Sequence, residues 1–239
     1  MYERLKAIID RADNIVCLAG SPLVEECGYP YVREQESAYD IEDRYGYSPE
    51  ELFSTVMLST RPELFFRYYR QEVLHPEMRP SPTFDALAEL ERRGKVKSII
   101  TRSIYGPATS AGCRTVIELR GSVRSNRCEK CGRRYPMEYV LKKKGIPSCE
   151  VCAGKVRPEI VLNGEMIDNG LMTKAAQKIS EADVLLVLGT NLKSDLVEKL
   201  IQYYNGSELV VINPYPHFSD RIADYVVNES PMNVLPKIL

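Results

Sequence analysis

Long apolar runs are missing from this sequence: no stretch approaches the roughly 18 residues needed to cross a bilayer. That excludes a helical membrane span. Charge of one sign is missing too, with 32 lysines and arginines against 33 aspartates and glutamates. A net charge of −1 offers no global attraction to nucleic acid or to an anionic membrane. The opening residues, Met1 to Lys6, are mixed in charge and helix-like, without an apolar signal core, so the cytosol is the expected compartment. Histidine is scarce: His75 and His217 are the whole supply.

What remains is a composition ordinary for a soluble globular protein, 44% hydrophobic and 27% charged. At 239 residues the chain can bury a sizeable core, as one large domain or a large and a small one. Short apolar runs recur at Asn14–Gly20, Lys97–Thr101, Thr115–Leu119, Asp183–Gly189 and Glu208–Asn213, with a briefer one at Asp224–Val227. They are continuous rather than alternating, the pattern of strands covered on both faces in a parallel sheet. Helical patterns lie between them at Pro62–Leu74, Pro82–Arg93, Leu171–Ala182, Leu192–Tyr204 and Pro231–Leu239. Pro62 suits a helix start and Gly94 a helix stop. The alternation predicts an α/β fold with a Rossmann-like, doubly wound parallel sheet.

Residues 123–157 interrupt this alternation. Lysine, arginine and glutamate are dense there and apolar side chains sparse, so the segment has little core of its own. It holds four of the seven cysteines, in Cys128-Glu129-Lys130-Cys131-Gly132 and Cys149-Glu150-Val151-Cys152-Ala153, with seventeen residues between the pairs. In a reducing compartment, paired C-x-x-C knuckles favour metal over disulfides. Four thiolates complete a tetrahedral site with no vacant position, so a structural zinc ribbon is expected. Cys17 reads as part of a core strand, while Cys27 and Cys113 fall in loops with no histidine nearby in sequence.

In this order the motifs resemble the sirtuins, NAD-dependent protein deacylases, over nearly the whole chain. Val16–Pro22 through Gly28–Arg33 resembles the family's opening G-A-G-x-S…G-I-P-D-F-R, and Tyr47–Leu52 with Leu64–Tyr69 fits the helical segment after it. Ile100–Gly106 stands where the family has T-Q-N-I-D-G, and Glu118–Ser122 where it has E-L-H-G-S. Arg157–Val161 through Glu165, Gly189–Asn191, Ile212–Pro214 and Val234–Pro236 complete the series. The resemblance implies a large Rossmann-like domain at 1–122 and 158–239 and a small zinc module at 123–157. Part of residues 25–75 would form a helical lid of the small domain. NAD and an acyl-lysine peptide would meet between the domains.

The chemistry-bearing positions depart from that pattern. The family's histidine base is Arg120, and a guanidinium cannot accept a proton near neutrality. Gln-Asn-Ile-Asp, which holds nicotinamide and its ribose, reads Arg102-Ser103-Ile104-Tyr105. Asp-Phe-Arg keeps only Arg33, behind Tyr31 and Val32. The glycine turn reads Gly20-Ser21-Pro22, and proline has no N–H for a phosphate. The Val-x-Phe that pairs with substrate is Val161-Leu162-Asn163.

The leading expectation is therefore a zinc-containing sirtuin-like pseudoenzyme that lacks deacylation and binds an anionic ligand: a nucleotide, ADP-ribose or an acidic segment. Arg33, Arg102 and Arg120 supply forks that match phosphate or carboxylate, with Tyr31 and Tyr105 beside them. The ligand-site candidates are Gly20, Ser21, Arg33, Arg102, Ser103, Tyr105, Arg120, Gly189, Thr190, Asn191 and Asn213. In the plainer reading these arginines are solvated or paired with acids such as Glu118 and Glu165. Two other functions stay open. One is a scaffold for a protein partner, through Tyr29, Tyr31, Tyr39, Tyr45 and Tyr47. The other is an NAD-dependent enzyme with altered chemistry, a deacylase, ADP-ribosyltransferase or NAD hydrolase, whose base would come from Glu25, Glu26 or Glu118. No nucleic acid and no membrane are expected as partners.

Overall fold

The apolar runs do become strands in the computed structural model, which describes residues 2–28 and 35–239, with backbone alone at 35–37. Tyr29, Tyr31 and Arg33 lie outside the described residues. Among the described residues the strands are β1 Ile15–Ala19, β2 Val96–Thr101, β3 Val116–Glu118, β4 Gly121–Cys128, β5 Arg134–Pro136, β6 Val156–Ile160, β7 Val184–Leu188, β8 Glu208–Ile212 and β9 Tyr225–Val227. Two compact units emerge: Met1–Tyr29, Arg79–Leu119 and Asp168–Leu239 form the first, Pro30–Met78 and Arg120–Ile167 the second.

In the first unit a six-stranded sheet runs in the order β3-β2-β1-β7-β8-β9, every pair parallel. Every residue of β1 and β7 is buried, which is why their sequences do not alternate. Leu5, Ile8 and Ile9 of the helix Glu3–Arg11 join Phe84, Leu87 and Leu90 of the helix Pro82–Arg92 in the same apolar cluster as the strands. The helices space these side chains at three or four residues, the stripe of an amphipathic helix.

In the second unit a three-stranded antiparallel sheet, β5-β4-β6, carries the cysteine knuckles. Its ladder is longer than the expected 123–157 window because Gly121 pairs with Ile160. Only glycine suits that position: φ is +71°, and a Cβ would sit 2.0 Å from the Glu159 carbonyl oxygen. The unit's helices span Gln35–Tyr45, Pro49–Leu52, Thr55–Thr60, Pro62–Tyr68 and Met137–Lys142. Ser48 and Glu51 close a capping box at Pro49–Leu52, and Phe65 stacks on Tyr69 at 5.6 Å between centroids.

Three helices differ from expectation. Pro62–Leu74 is α-helical only to Tyr68, then continues as a π turn, Tyr69–Val73. The segment 192–204 is helical only over Asp195–Ile201, because Asn191 folds the chain into a turn by accepting from the Lys193 and Ser194 amides. The C-terminal segment breaks into Pro231–Val234 and a 3-10 turn, Leu235–Lys237, since Pro236 cannot donate to a continuing helix. Among the described residues no helix is long and apolar enough to cross a membrane.

Candidate functional site

The two knuckles bring all four thiol sulfurs within 4.8 Å of one another. Cys128 and Cys152 are 3.5 Å apart, Cys131 and Cys149 3.6 Å. A zinc tetrahedron with bonds of about 2.3 Å has sulfur–sulfur edges of about 3.8 Å, so the donor set fits that ion. The turns are tight enough to need special residues. Gly132 and Ala153 both take positive φ, and a Cβ at Gly154 would lie 3.0 Å from the Cys128 sulfur. Around the thiols the backbone N–H of Val151 donates to Cys149 Sγ, and so does the Tyr135 hydroxyl at 3.1 Å. That hydroxyl bond is the main reason the Cys149 thiol is held down to about 6. Tyr135 escaped the sequence reading; its one signal there is an aromatic residue placed between knuckles in an otherwise apolar-poor segment.

In the first unit β1 lies between β2 and β7, where the winding direction of the sheet reverses. Open parallel sheets bind ligands at the carboxyl ends of strands at such a switch point. The two glycines that close the turns there are required by contact. A Cβ at Gly20 would meet Thr190 Cβ at 2.7 Å and the Gly189 carbonyl oxygen at 2.8 Å. Gly189 takes φ of +62°, and its Cβ would lie 2.5 Å from a Leu23 methyl. Gly20, Ser21, Gly189 and Thr190 thus belong to one crevice edge. Pro22 falls in the first turn of the 3-10 helix Ser21–Cys27. Asn213, buried after β8, donates to the Tyr215 carbonyl at 2.7 Å, and Asn191 Oδ1 accepts from Lys193 N.

After β2, buried Ser103 donates its N–H to Thr101 Oγ1 at 3.0 Å, and its hydroxyl accepts from Tyr105 N at 3.4 Å. Burial pushes the Tyr105 phenol up to about 12. Arg102 forms an ion pair with Asp195, whose other oxygen takes Lys199 Nζ at 2.8 Å. The Lys199 bond first, and then the charge of Arg102, holds the Asp195 carboxyl below its usual value.

The two arginines fall in different units, and each of the two acids named with them accepts a bond from another residue. Glu118 accepts from Thr109 Oγ1 at 3.2 Å, while Glu165 takes a two-pronged bond from Arg157 at 2.7 and 3.0 Å. Arg120 donates from Nε and Nη2 to the Val161 carbonyl at 3.3 and 2.8 Å, and Val161 N returns a bond to the Arg120 carbonyl. Its guanidinium also lies 5.8 Å from the Phe53 ring centre. The residue at the family's base position is a stitch between β4 and the end of β6.

Other candidates resolve into structural parts. Glu26 accepts from Ser81, Thr83 and Ser230 hydroxyls at 3.0, 2.5 and 2.6 Å and from Met232 N at 3.3 Å, tying three segments of the first unit together. His217 caps the 3-10 turn Phe218–Ile222 through Ser219, and His75 bonds the Glu72 carbonyl. Burial raises the thiols of Cys17, Cys27 and Cys113, the opposite of the shift that activates a thiol nucleophile.

Known proteins match this arrangement from end to end. The Sir2 family model matches residues 20–195. A protein named NAD-dependent protein deacetylase from Clostridium perfringens (strain 13 / Type A) is 37% identical over 237 residues, 99% of this chain and 97% of its own. A structure described as the structural basis of sirtuin substrate affinity superposes with a TM-score of 0.91 at 26% identity, covering 100% of this chain and 98% of that one. A Sir2 homologue solved as an NAD complex has a TM-score of 0.85 at 29% identity, covering 100% and 92%.

Proposed function

The chain belongs to the Sir2 family, and on that premise we propose that it is an NAD-dependent enzyme of the family with altered chemistry. The observation that carries this reading is the contact-enforced glycine pair, Gly20 and Gly189, at the switch point of the sheet. A full-length likeness to a protein named as an NAD-dependent deacetylase favours an enzyme over the pseudoenzyme first expected. Bound NAD supplies a nicotinamide–ribosyl bond whose cleavage is common to deacylation, ADP-ribosyl transfer and NAD hydrolysis. The altered part is the base. Arg120 cannot accept a proton, and Glu26 is held by four donors. We assign the role to Glu118, the last residue of β3, on the same carboxyl edge as Arg102. The large domain would take the dinucleotide, and the zinc module would serve the fold. Four thiolates suit a reducing, cytosolic setting.

Nicotinamide release measured with NAD alone, and then with acyl-lysine peptides, tests this. Release is expected, and Glu118→Gln should slow it by about 100-fold or more, the usual worth of a general base. Melting stabilised by NAD or ADP-ribose, with no nicotinamide released for any acceptor, would instead establish a second reading, binding without turnover. The engagement of Arg120 with Val161 is the observation that favours it.

A further inference from the structure

The turn after β1 has lost a phosphate donor and gained a charge from the next strand. Pro22 has no N–H, so Gly20-Ser21-Pro22 offers an anion less than a glycine turn would. Arg102 follows Thr101, the β2 residue opposite Ala19 at the end of β1. Asp195 opens the helix that follows β7, whose Leu188 is opposite Ala19 on the other side. An ion pair between residues carried by the two neighbours of β1 therefore crosses the carboxyl end of β1, at the switch point.

We propose that Arg102 is the phosphate-binding residue of this crevice and that the Asp195 carboxylate is a stand-in, holding the guanidinium until a ligand diphosphate displaces it. The proposal rests on the dinucleotide reading of the crevice and names how that site takes its anion. The bond to Asp195 uses one Nη1 hydrogen, whereas a guanidinium carries five donors in a fork that fits phosphate oxygens. Lys199 shares the same carboxylate, so the cluster keeps one net positive charge. Ser103 N bonded to Thr101 Oγ1 fixes the backbone from which Arg102 leaves. Arg102 is 30% exposed and Asp195 54%, so the pair is open to exchange. An exposed pair is worth little, and displacing it costs the ligand about fivefold in affinity at most.

The discriminating feature is sign. Two halves of a merely structural ion pair change affinity in the same direction when either is removed; a cation and its stand-in anion change it in opposite directions. Calorimetric titration of the full chain with inorganic pyrophosphate and with ADP-ribose reads this directly. Arg102→Gln should weaken both about tenfold or more, while Asp195→Asn should tighten both about threefold. Melting curves check that the variants fold, and Asp195→Asn alone still decides the sign if Arg102→Gln does not. An unchanged affinity in Arg102→Gln, or weakening by Asp195→Asn, overturns the proposal. ADP-ribose bound with no dependence on Arg102 sinks it while leaving the dinucleotide reading intact. Pyrophosphate bound through Arg102, with ADP-ribose binding no tighter, upholds it and sinks that reading. Binding of neither probe ends both.

Discussion

Removing zinc should unfold the cysteine module and spare the six-stranded sheet. Among the described residues, the buried cluster around the thiols adds Tyr135 and Val156, with Tyr139 partly buried against them; Val123, Met137 and Val140 are buried outside that cluster. Full burial of a side chain of this size contributes about 1.5–3 kcal/mol, so the two in this cluster contribute roughly 6 at most. A structural zinc on thiolates contributes about 10–16 kcal/mol near neutral pH. The metal therefore outweighs the apolar cluster around the thiols by about two to one, and the knuckles with β5 between them depend on it. The assay pairs a chelator that reports released zinc with hydrogen exchange. One zinc per chain should be released, and amide protection should fall over β4, β5 and the knuckles while β1, β2, β7 and β8 keep theirs. Cys149→Ser should reproduce the loss without chelator. Unchanged protection across Val123–Cys152 in metal-free protein would refute the reasoning, because the small apolar cluster would then suffice.

Two further outcomes follow from particular contacts. Glu26→Ala should lower the stability of the first unit by about 3–5 kcal/mol in denaturant titration, since it strands the Ser81, Thr83 and Ser230 hydroxyls and one backbone N–H together. A change below about 1 kcal/mol would mean those donors find water instead. Glu165 is pushed up by burial, but the Arg157 and Leu162 bonds outweigh that and hold its carboxyl below the ordinary 4.5. A lowered folded value contributes stability that is complete above the ordinary value and lost as pH falls through the lowered one. Wild type should therefore lose stability below about pH 4.5 more steeply than Glu165→Gln, while at neutral pH the variant is weaker by about 1–2 kcal/mol. Parallel acid profiles for the two would contradict this.

The retained and the replaced residues divide by their physical role. Gly20, Gly189 and Gly121 stand where a Cβ has no room, and the four thiols stand together with Tyr135 and Val156 in one small cluster. The positions that depart from the family's motifs, Arg102, Tyr105 and Arg120, are each partly buried. Arg102 and Arg120 make bonds of their own, to Asp195 and to Val161.

By itself the sequence determined the six strands of the parallel sheet and the zinc ligands, but not the antiparallel strands β4, β5 and β6. Each rests on local information: continuous apolar runs mark strands buried on both faces, and C-x-x-C spacing builds a knuckle within a few residues. Helix ends were legible only in part, because the Asn191 turn and the break at Pro236 compete with an apolar periodicity that runs through them. What only the tertiary structure decided is who meets whom at long range. Sequence distance separates Arg102 from Asp195, Arg120 from Val161, Glu26 from Ser230 and Tyr135 from Cys149. A charged side chain on a loop has many partners within reach and no periodicity to select one. Strand order set β2 and β7 on either side of β1, and so brought Arg102 to Asp195.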